Sequence, residues 1–176
     1  MTARASVRLG VALALGAAGL APAARAADGV AGVITRTYTI VEDTDLTGEV
    51  TCQVANGTPC FAFGAPGVQL RLNGYTITGK AEPVTGCGGT LTAGEHGIST
   101  AGLAGVSVHG PGLVQRFRFH GVAVMGSRDA RVDGITASTN CAAGVFINAL
   151  SFGTIVEGVV SVRNGSTSAG ASCGGI

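Results

Sequence analysis

Three ionisable side chains recur at a fixed interval in the second half of the chain: His109, Asp133 and Glu157. Each directly precedes a glycine, as Asn73 does earlier in the chain. If the four positions stack in one column, neighbours lie about 4.8 Å apart, the spacing of adjacent strands. Close carboxylates repel, which can raise the pKa of one of them and create a general acid. Arg131, two residues before Asp133, can bind a uronate carboxylate. The column therefore predicts proton transfer on an acidic polysaccharide.

The same residues also fit a solvated sheet face whose opposite charges compensate one another. Both this column and the one two positions earlier alternate with apolar residues, which predicts that both face solvent. The earlier column is expected to hold Arg71, Ser107, Arg131 and Ile155. The residue types alone leave the catalytic and the structural interpretation open.

The elements that position these residues are short strands in a repeating fold. Gly110, Gly134 and Gly158 are equally spaced, and the apolar residues around them alternate with period two, as in Val106 and Val108. Alternation over a few residues, rich in β-branched types, predicts strands. A fixed period of about 24 residues predicts a solenoid. No helical stripe occurs outside the N-terminus, so helical repeats are excluded.

The repeat segments resemble those of a known superfamily. Residues 70–79, LRLNGYTITG, resemble the LDLNGHTISG opening coil of bacterial right-handed parallel β-helix proteins of the pectin-lyase-like superfamily. Residues 108–112 with Phe117 and Gly121-Val122 resemble the second coil, and the segments ending at Asn140 and Asn164 resemble later coils. The resemblance covers residues 39–176 and implies an all-β, right-handed parallel β-helix with one coil per sequence repeat. Ahead of it we expect an N-terminal signal helix, for the reasons given below. One departure is Arg71, where the superfamily pattern usually has an acidic residue.

The resemblance does not decide function, because the superfamily includes lyases, hydrolases, epimerases and adhesins. The Asp-Pro-His-Asp run of alginate epimerases is absent, and with no Trp and two Tyr the chain offers little aromatic surface for sugar rings. We therefore expect a secreted module that binds carbohydrate or a cell-surface glycan, or serves structurally. The alternative is a uronate lyase or epimerase acting at His109, Asp133 and Glu157 with Arg131. No cofactor is expected.

Residues 1–26 have the organisation of a secretory signal peptide. Arg4 and Arg8 precede an apolar run over 9–20, and Ala24-Arg-Ala26 forms a small-x-small cleavage site, which predicts cleavage after Ala26. Residues 27–66 are expected to form capping strands and 67–176 the coils, with the end at Ile176 indicating a truncated β-helix. The expected location is extracellular or periplasmic, with no transmembrane segment in the mature chain. Cleavage removes three of the 11 basic residues and none of the 10 acidic ones, which takes the net charge from +1 to −2 and argues against nucleic-acid binding.

Five cysteines in an exported chain predict disulfides. Cys52 and Cys60 flank a turn-rich loop and form the natural local pair. Cys141 and Cys173 occupy equivalent repeat positions and are expected to pair across one strand spacing. Cys87 is left over. No Cys-x-x-Cys pair or histidine cluster occurs, so no metal site is expected.

Two further patterns concern the corners between strands. Asn140 and Asn164, one repeat apart, are expected to stack and bond the neighbouring backbone as an asparagine ladder. Over 116–120 (Arg-Phe-Arg-Phe-His), alternation predicts that Phe117 and Phe119 point inward while the two arginines and His120 stay in solvent.

Overall fold

The structure is a computed structural model that describes residues 28–81, 91–148, 150–165 and 175–176. These residues form an all-β fold with parallel sheets and contain no helix. The expected signal helix and its cleavage site at Ala26 lie outside the described residues. The strands are β1 Asp28–Ile34, β2 Tyr38–Ile40, β3 Thr44–Cys52, β4 Phe61–Phe63, β5 Gln69–Arg71, β6 Thr76–Thr78, β7 Ile98–Ser99, β8 Ser107–Gln115, β9 Val122–Val124, β10 Arg131–Ser138, β11 Val145–Ile147, β12 Ile155–Glu157 and β13 Val160–Val162.

The strands form two parallel sheets, and the chain passes repeatedly from one to the other. The larger sheet has the order β1-β3-β5-β8-β10-β12, with β6 beside β3 and β8 and with β13 beside β10. The smaller sheet has the order β11-β9-β7-β4-β2. One strand or pair of strands in the larger sheet, followed by one strand in the smaller sheet, makes up a repeat. Residues 27–66, expected to cap the fold, contribute β1 to β4, which pair with later strands in both sheets.

A single core lies between the sheets because alternate residues of every strand point inward. In the larger sheet, Leu70, Val108 and Val132 stand next to one another in register and are at most 1% exposed. In the smaller sheet, Ile98 and Val122 pair in the same way and are fully buried. Each such side chain stabilises the fold by roughly 1.5–3 kcal/mol through burial. Stacked equivalents make this core continuous along the molecule.

The corner that follows the larger sheet is built from a column of left-handed residues. Arg116, Thr139 and Arg163 have φ of 61°, 53° and 54° and occupy equivalent positions in successive repeats. A left-handed residue turns the chain sharply out of the strand direction, which ends the strand at that point. L-residues with a Cβ adopt this conformation at a cost, greatest for a β-branched type such as Thr139.

Asparagines satisfy the backbone at this corner. The Asn140 side chain is fully buried, accepts from the Phe117 N–H at 3.1 Å and donates to the Val114 carbonyl at 3.2 Å. Asn164, one repeat later, accepts from the Asn140 backbone N–H at 3.0 Å and donates to the Ala137 carbonyl at 2.9 Å. The predicted asparagine ladder is confirmed.

The first predicted disulfide is also confirmed. Cys52 and Cys60 are bonded, with their Cα atoms 5.8 Å apart. Cys141 is disulfide-bonded as well. Its predicted partner Cys173 lies outside the described residues, as does Cys87, so that pairing stays a prediction.

In the described part of the chain, we find no helix with the length and apolar character required to span a bilayer.

Candidate functional site

Strand pairing places five ionisable residues in one row on the outer face of the larger sheet. Asp45 pairs with Arg71, Arg71 with His109, His109 with Asp133, and Asp133 with Glu157. We call this row the charged ladder. The predicted juxtaposition of His109, Asp133 and Glu157 is therefore confirmed.

The prediction that Asn73 stands beside His109 at the start of the column is wrong. Arg71 occupies that place, and Gln69 rather than Arg71 stands beside Ser107 in the neighbouring column. Asn73 and Gly74, with φ of 50° and 87°, instead form the bend between β5 and β6. Asn73 donates from Nδ2 to the Leu46 carbonyl at 3.2 Å. This bend contains more residues than the equivalent bends in later repeats, so aligning the chain on its glycines shifts the first repeat by two positions.

One half of the ladder is organised around Asp133. Its Oδ2 atom lies 2.8 Å from Nδ1 of His109 and 2.8 Å from Nε of Arg131. Arg131 also donates to Glu157. Hydrogen bonding to Asp133 and the charge of Glu157 raise the pKa of the Arg131 guanidinium above its ordinary value. Arg131 therefore bridges the two carboxylates, which offsets the repulsion on which the predicted general acid depends.

The other half is organised around Arg71. Nε of Arg71 donates to Oδ1 of Asp45 at 2.6 Å, and its guanidinium lies 3.7 Å from Asp43. The hydrogen bond to Asp45 raises the pKa of Arg71. Asp43 in turn accepts from the Gln69 amide at 2.7 Å. The positive charge of Arg71 is thus compensated by aspartates one repeat earlier.

The ladder and its partners have an excess of negative charge. With all carboxylates ionised and His109 neutral, four negative charges face two positive ones, a net charge of −2. The groups are Asp43, Asp45, Asp133 and Glu157 against Arg71 and Arg131. This surface disfavours polyanions and favours neutral or cationic ligands.

A second charged cluster, which the sequence analysis did not identify, lies at the corner before the smaller sheet. Glu95 is 1% exposed and accepts both Nε and a terminal nitrogen of Arg118, at 2.8 and 2.6 Å. The Arg118 guanidinium also donates to Oδ1 of Asn56 at 2.7 Å, and Lys80 donates to the same oxygen at 2.9 Å. Hydrogen bonding to Glu95 raises the pKa of Arg118. The cluster ties residues from three repeats together.

Two histidines form a buried stack beside that cluster. His96 and His120 are 3% and 5% exposed, and their rings lie parallel with centroids 5.3 Å apart. Phe146 stacks on the other face of His120 at 4.3 Å. Burial lowers the pKa of each histidine to about 4. The signal that could have identified the pair is their spacing of one full repeat.

The alternation predicted over 116–120 is wrong for Phe119 and His120. Phe117 is buried as expected, but His120 is buried and Phe119 is only half-buried. Alternation does not apply because these residues form no strand, and left-handed Arg116 turns the chain before them.

The described residues contain no group of three or more His, Cys, Asp or Glu side chains placed to hold a metal ion. Comparison of the chain with protein-family models, with curated proteins and with solved structures finds no significant match. The resemblance to pectin-lyase-like β-helices therefore stays a prediction from the repeat segments.

Proposed function

We propose that the chain is an exported module, built as a right-handed parallel β-helix, whose charged ladder binds carbohydrate at a cell surface. Two features support the β-helix. The chain alternates between two wholly parallel sheets, and strand-paired residues of successive later repeats are 23 or 24 positions apart. The all-β repeat architecture also agrees with the superfamily to which the repeat segments point.

The observation that carries the binding function is the set of hydrogen bonds that holds the ladder in place. His109, Asp133 and Arg131 are fixed to one another, and Arg71 is fixed to Asp45. Polar groups that are ordered before binding lose little conformational entropy when a ligand arrives. A flat row of fixed donors and acceptors suits the hydroxyl groups of an extended glycan, and the net charge favours neutral or amino sugars over uronates.

Isothermal titration calorimetry with three soluble probes tests this proposal: a neutral glucan, a chitosan oligomer and pectate. We expect the wild type to bind one of the first two more tightly than pectate. The double variant His109→Gln/Glu157→Gln should weaken that binding about tenfold, because it removes two groups from the exposed row. Arg36→Gln, an exposed change outside the ladder, is the matched control. Failure of the wild type to bind any of the three would contradict the binding function.

The second candidate is a uronate lyase or epimerase, and the observation that favours it is the His109–Asp133 pair. A carboxylate bonded to Nδ1 of an imidazole holds the proton there and leaves Nε2 as the basic atom, an arrangement suited to proton abstraction. Arg131 is the available cation for the uronate carboxylate. In the present arrangement, however, both Asp133 and Glu157 already engage Arg131.

Catalysis is tested by incubating the protein with alginate and pectate, and following absorbance of unsaturated uronates and the epimer ratio by proton NMR. If this candidate holds, Asp133→Asn abolishes the change while circular dichroism stays that of the wild type. Activity that survives both Asp133→Asn and Glu157→Gln would place the chemistry elsewhere, and no activity leaves the binding function.

Export is supported by the signal-like N-terminus and by the Cys52–Cys60 disulfide, a bond that persists in oxidising compartments. Peptide mapping of periplasmic material without reductant tests it. We expect a mature N-terminus at Ala27 and a Cys141–Cys173 linkage. Recovery of Cys141 linked to Cys87 would contradict the pairing.

A further inference from the structure

The charged cluster at the corner before the smaller sheet holds a primary amine against a carboxamide. Nζ of Lys80 donates to Oδ1 of Asn56 at 2.9 Å and to the Val54 carbonyl at 2.6 Å. Asn56 lies in the loop that the Cys52–Cys60 disulfide closes. A carbonyl bond is about 1.2 Å long, so Cγ of Asn56 lies within about 4 Å of the amine. A nucleophilic nitrogen and an electrophilic carbon are therefore held next to each other.

An arginine polarises the same carbonyl. A terminal nitrogen of Arg118 donates to Oδ1 of Asn56 at 2.7 Å. Arg118 is itself fixed by its two hydrogen bonds to Glu95. Negative charge grows on a carbonyl oxygen when a nucleophile adds to its carbon, and a donor that is already in place stabilises this charge. Arg118 therefore makes Cγ of Asn56 a better electrophile.

A buried carboxylate stands beside the amine. Oε2 of Glu95 lies 3.9 Å from Nζ of Lys80, and the Glu95 side chain is only 2% exposed. A lysine is a nucleophile only as the neutral amine, so its ammonium group must first lose a proton. A small side-chain movement brings Glu95 within hydrogen-bond reach of that proton, as a general base requires.

We propose that Lys80 and Asn56 form an isopeptide bond, in a reaction that the folded chain performs on itself. Glu95 takes one proton from the Lys80 ammonium group, and the amine then adds to Cγ of Asn56. Glu95 passes this proton to the Nδ2 leaving group and accepts the second proton from Nζ. The Nζ–Cγ bond forms, the Cγ–Nδ2 bond breaks, and ammonia leaves. Glu95 finally releases its proton to solvent, so the reaction needs no oxidant, reductant or other reactant.

The bond would join neighbouring repeats through side chains. Its two residues are 24 positions apart in the sequence. Like a disulfide, such a link restricts the unfolded chain, but reductants do not cleave it. We therefore expect this corner to stay cross-linked where the Cys52–Cys60 disulfide is reduced.

Tryptic mapping of the full chain, expressed for export and then reduced and alkylated, tests the proposal. Trypsin does not cleave after a lysine whose amine is acylated, so a linked chain yields peptide 37–71 joined to peptide 72–116. The joined species is about 17 Da lighter than the two peptides together, because ammonia has left. Tandem mass spectrometry locates the link, and we expect most wild-type chains to carry it. Recovery of peptide 72–80 with peptide 37–71 at its sequence mass would overturn the proposal.

One competing reaction and three variants make the test specific. Asn56 precedes Gly57 and can also lose ammonia by cyclising onto its own backbone, which makes peptide 37–71 lighter but leaves Lys80 free; that result would overturn the proposal. Lys80→Arg keeps the positive charge and should abolish the joined peptide. Glu95→Gln should lower the joined fraction at least tenfold, because it removes the base. Glu49→Gln, the same change at an exposed position, should leave the fraction unchanged.

Circular dichroism and the Cys52–Cys60 linkage, mapped without reductant, verify that each variant is folded. A folded Glu95→Gln protein with as much joined peptide as the wild type would overturn the role of Glu95. The wild-type map decides whether the bond exists, even where that variant does not fold.

Discussion

Lowering the pH from 7 to 4 should remove a large part of the folding free energy through His96 and His120. Both have a pKa of about 4 in the folded chain, against an ordinary value of 6.5. The unfolded chain therefore binds protons at a higher pH than the folded chain does. The stabilisation is complete above pH 6.5 and is lost as the pH falls through 4.

Burial, which disfavours the charged imidazolium, is the main cause of the lowered pKa of each histidine. Nδ1 of His120 accepts the Ala143 N–H at 3.1 Å, a bond that protonation of that nitrogen removes. Nδ1 of His96 is buried without a hydrogen-bond partner. Glu95, adjacent in sequence, is committed to Arg118 and so is not free to pair with an imidazolium at His96.

The magnitude follows from linkage. At pH 4 a group with pKa 4 in the folded state and 6.5 in the unfolded state lowers the free energy of unfolding by about 3 kcal/mol. His120, with the same lowered pKa, adds to this loss, so the two histidines together remove a large share of the roughly 5–15 kcal/mol that stabilises a typical domain. Urea unfolding at pH 7, 5.5 and 4, followed by circular dichroism, measures the loss.

His96→Phe isolates one contribution. Phenylalanine can keep the stack and removes a buried nitrogen that has no partner, so stability at pH 7 should change little. The loss between pH 7 and 4 should shrink by about 3 kcal/mol. Arg36→Gln, the exposed change used above as a control, should leave the loss essentially unchanged. A His96→Phe protein that loses as much stability as the wild type would refute the reasoning.

Three further predictions concern corners and the cross-link, and each is checked by urea unfolding at pH 7. Thr139→Asn should raise the free energy of unfolding by about 1 kcal/mol, because asparagine tolerates the left-handed conformation better; no gain would contradict strain at this corner. Asn140→Ala should lower the free energy of unfolding by about 3 kcal/mol, because it leaves a buried N–H and a buried carbonyl unsatisfied. Asn164 is only half-buried, so Asn164→Ala should lower it clearly less. A larger loss for Asn164→Ala than for Asn140→Ala would contradict this account of the asparagine ladder. Replacing Cys52 and Cys60 by alanine should lower the free energy of unfolding by about 2–3 kcal/mol, as expected for a disulfide that closes a short loop. An unchanged denaturation midpoint would contradict this prediction.

The period of the sequence predicted which residues meet wherever successive repeats have the same length. His109, Asp133 and Glu157 came into register because their bends are of similar length. The prediction for Asn73 failed because alternation with period two is unchanged by a shift of two residues. Only the length of the bend distinguishes the two registers, and that length depends on left-handed residues such as Asn73 itself.

The clusters at the corners could not be predicted from alternation. Glu95, His96, Arg118 and His120 lie outside strands, where no fixed period relates a residue's position to its direction. Their contacts depend on where a left-handed residue turns the chain. The repeat spacing carried partial information, since His96 and His120 are one period apart, but it did not indicate whether the pair faces the interior.

The regular spacing of paired strands bears on how the chain folds. Asp133 stands beside His109 at a sequence separation of 24, whereas Gln115 stands beside Thr78 at a separation of 37, because a longer connection separates β6 from β7. Loop-closure entropy grows only with the logarithm of length, so the longer closure costs about 0.4 kcal/mol more than the shorter one. Each repeat can thus add to its neighbour at nearly the same entropic cost, and folding can begin at any repeat and propagate in both directions. The connection between β6 and β7 is accordingly a position where the number of residues can change at little entropic cost to assembly.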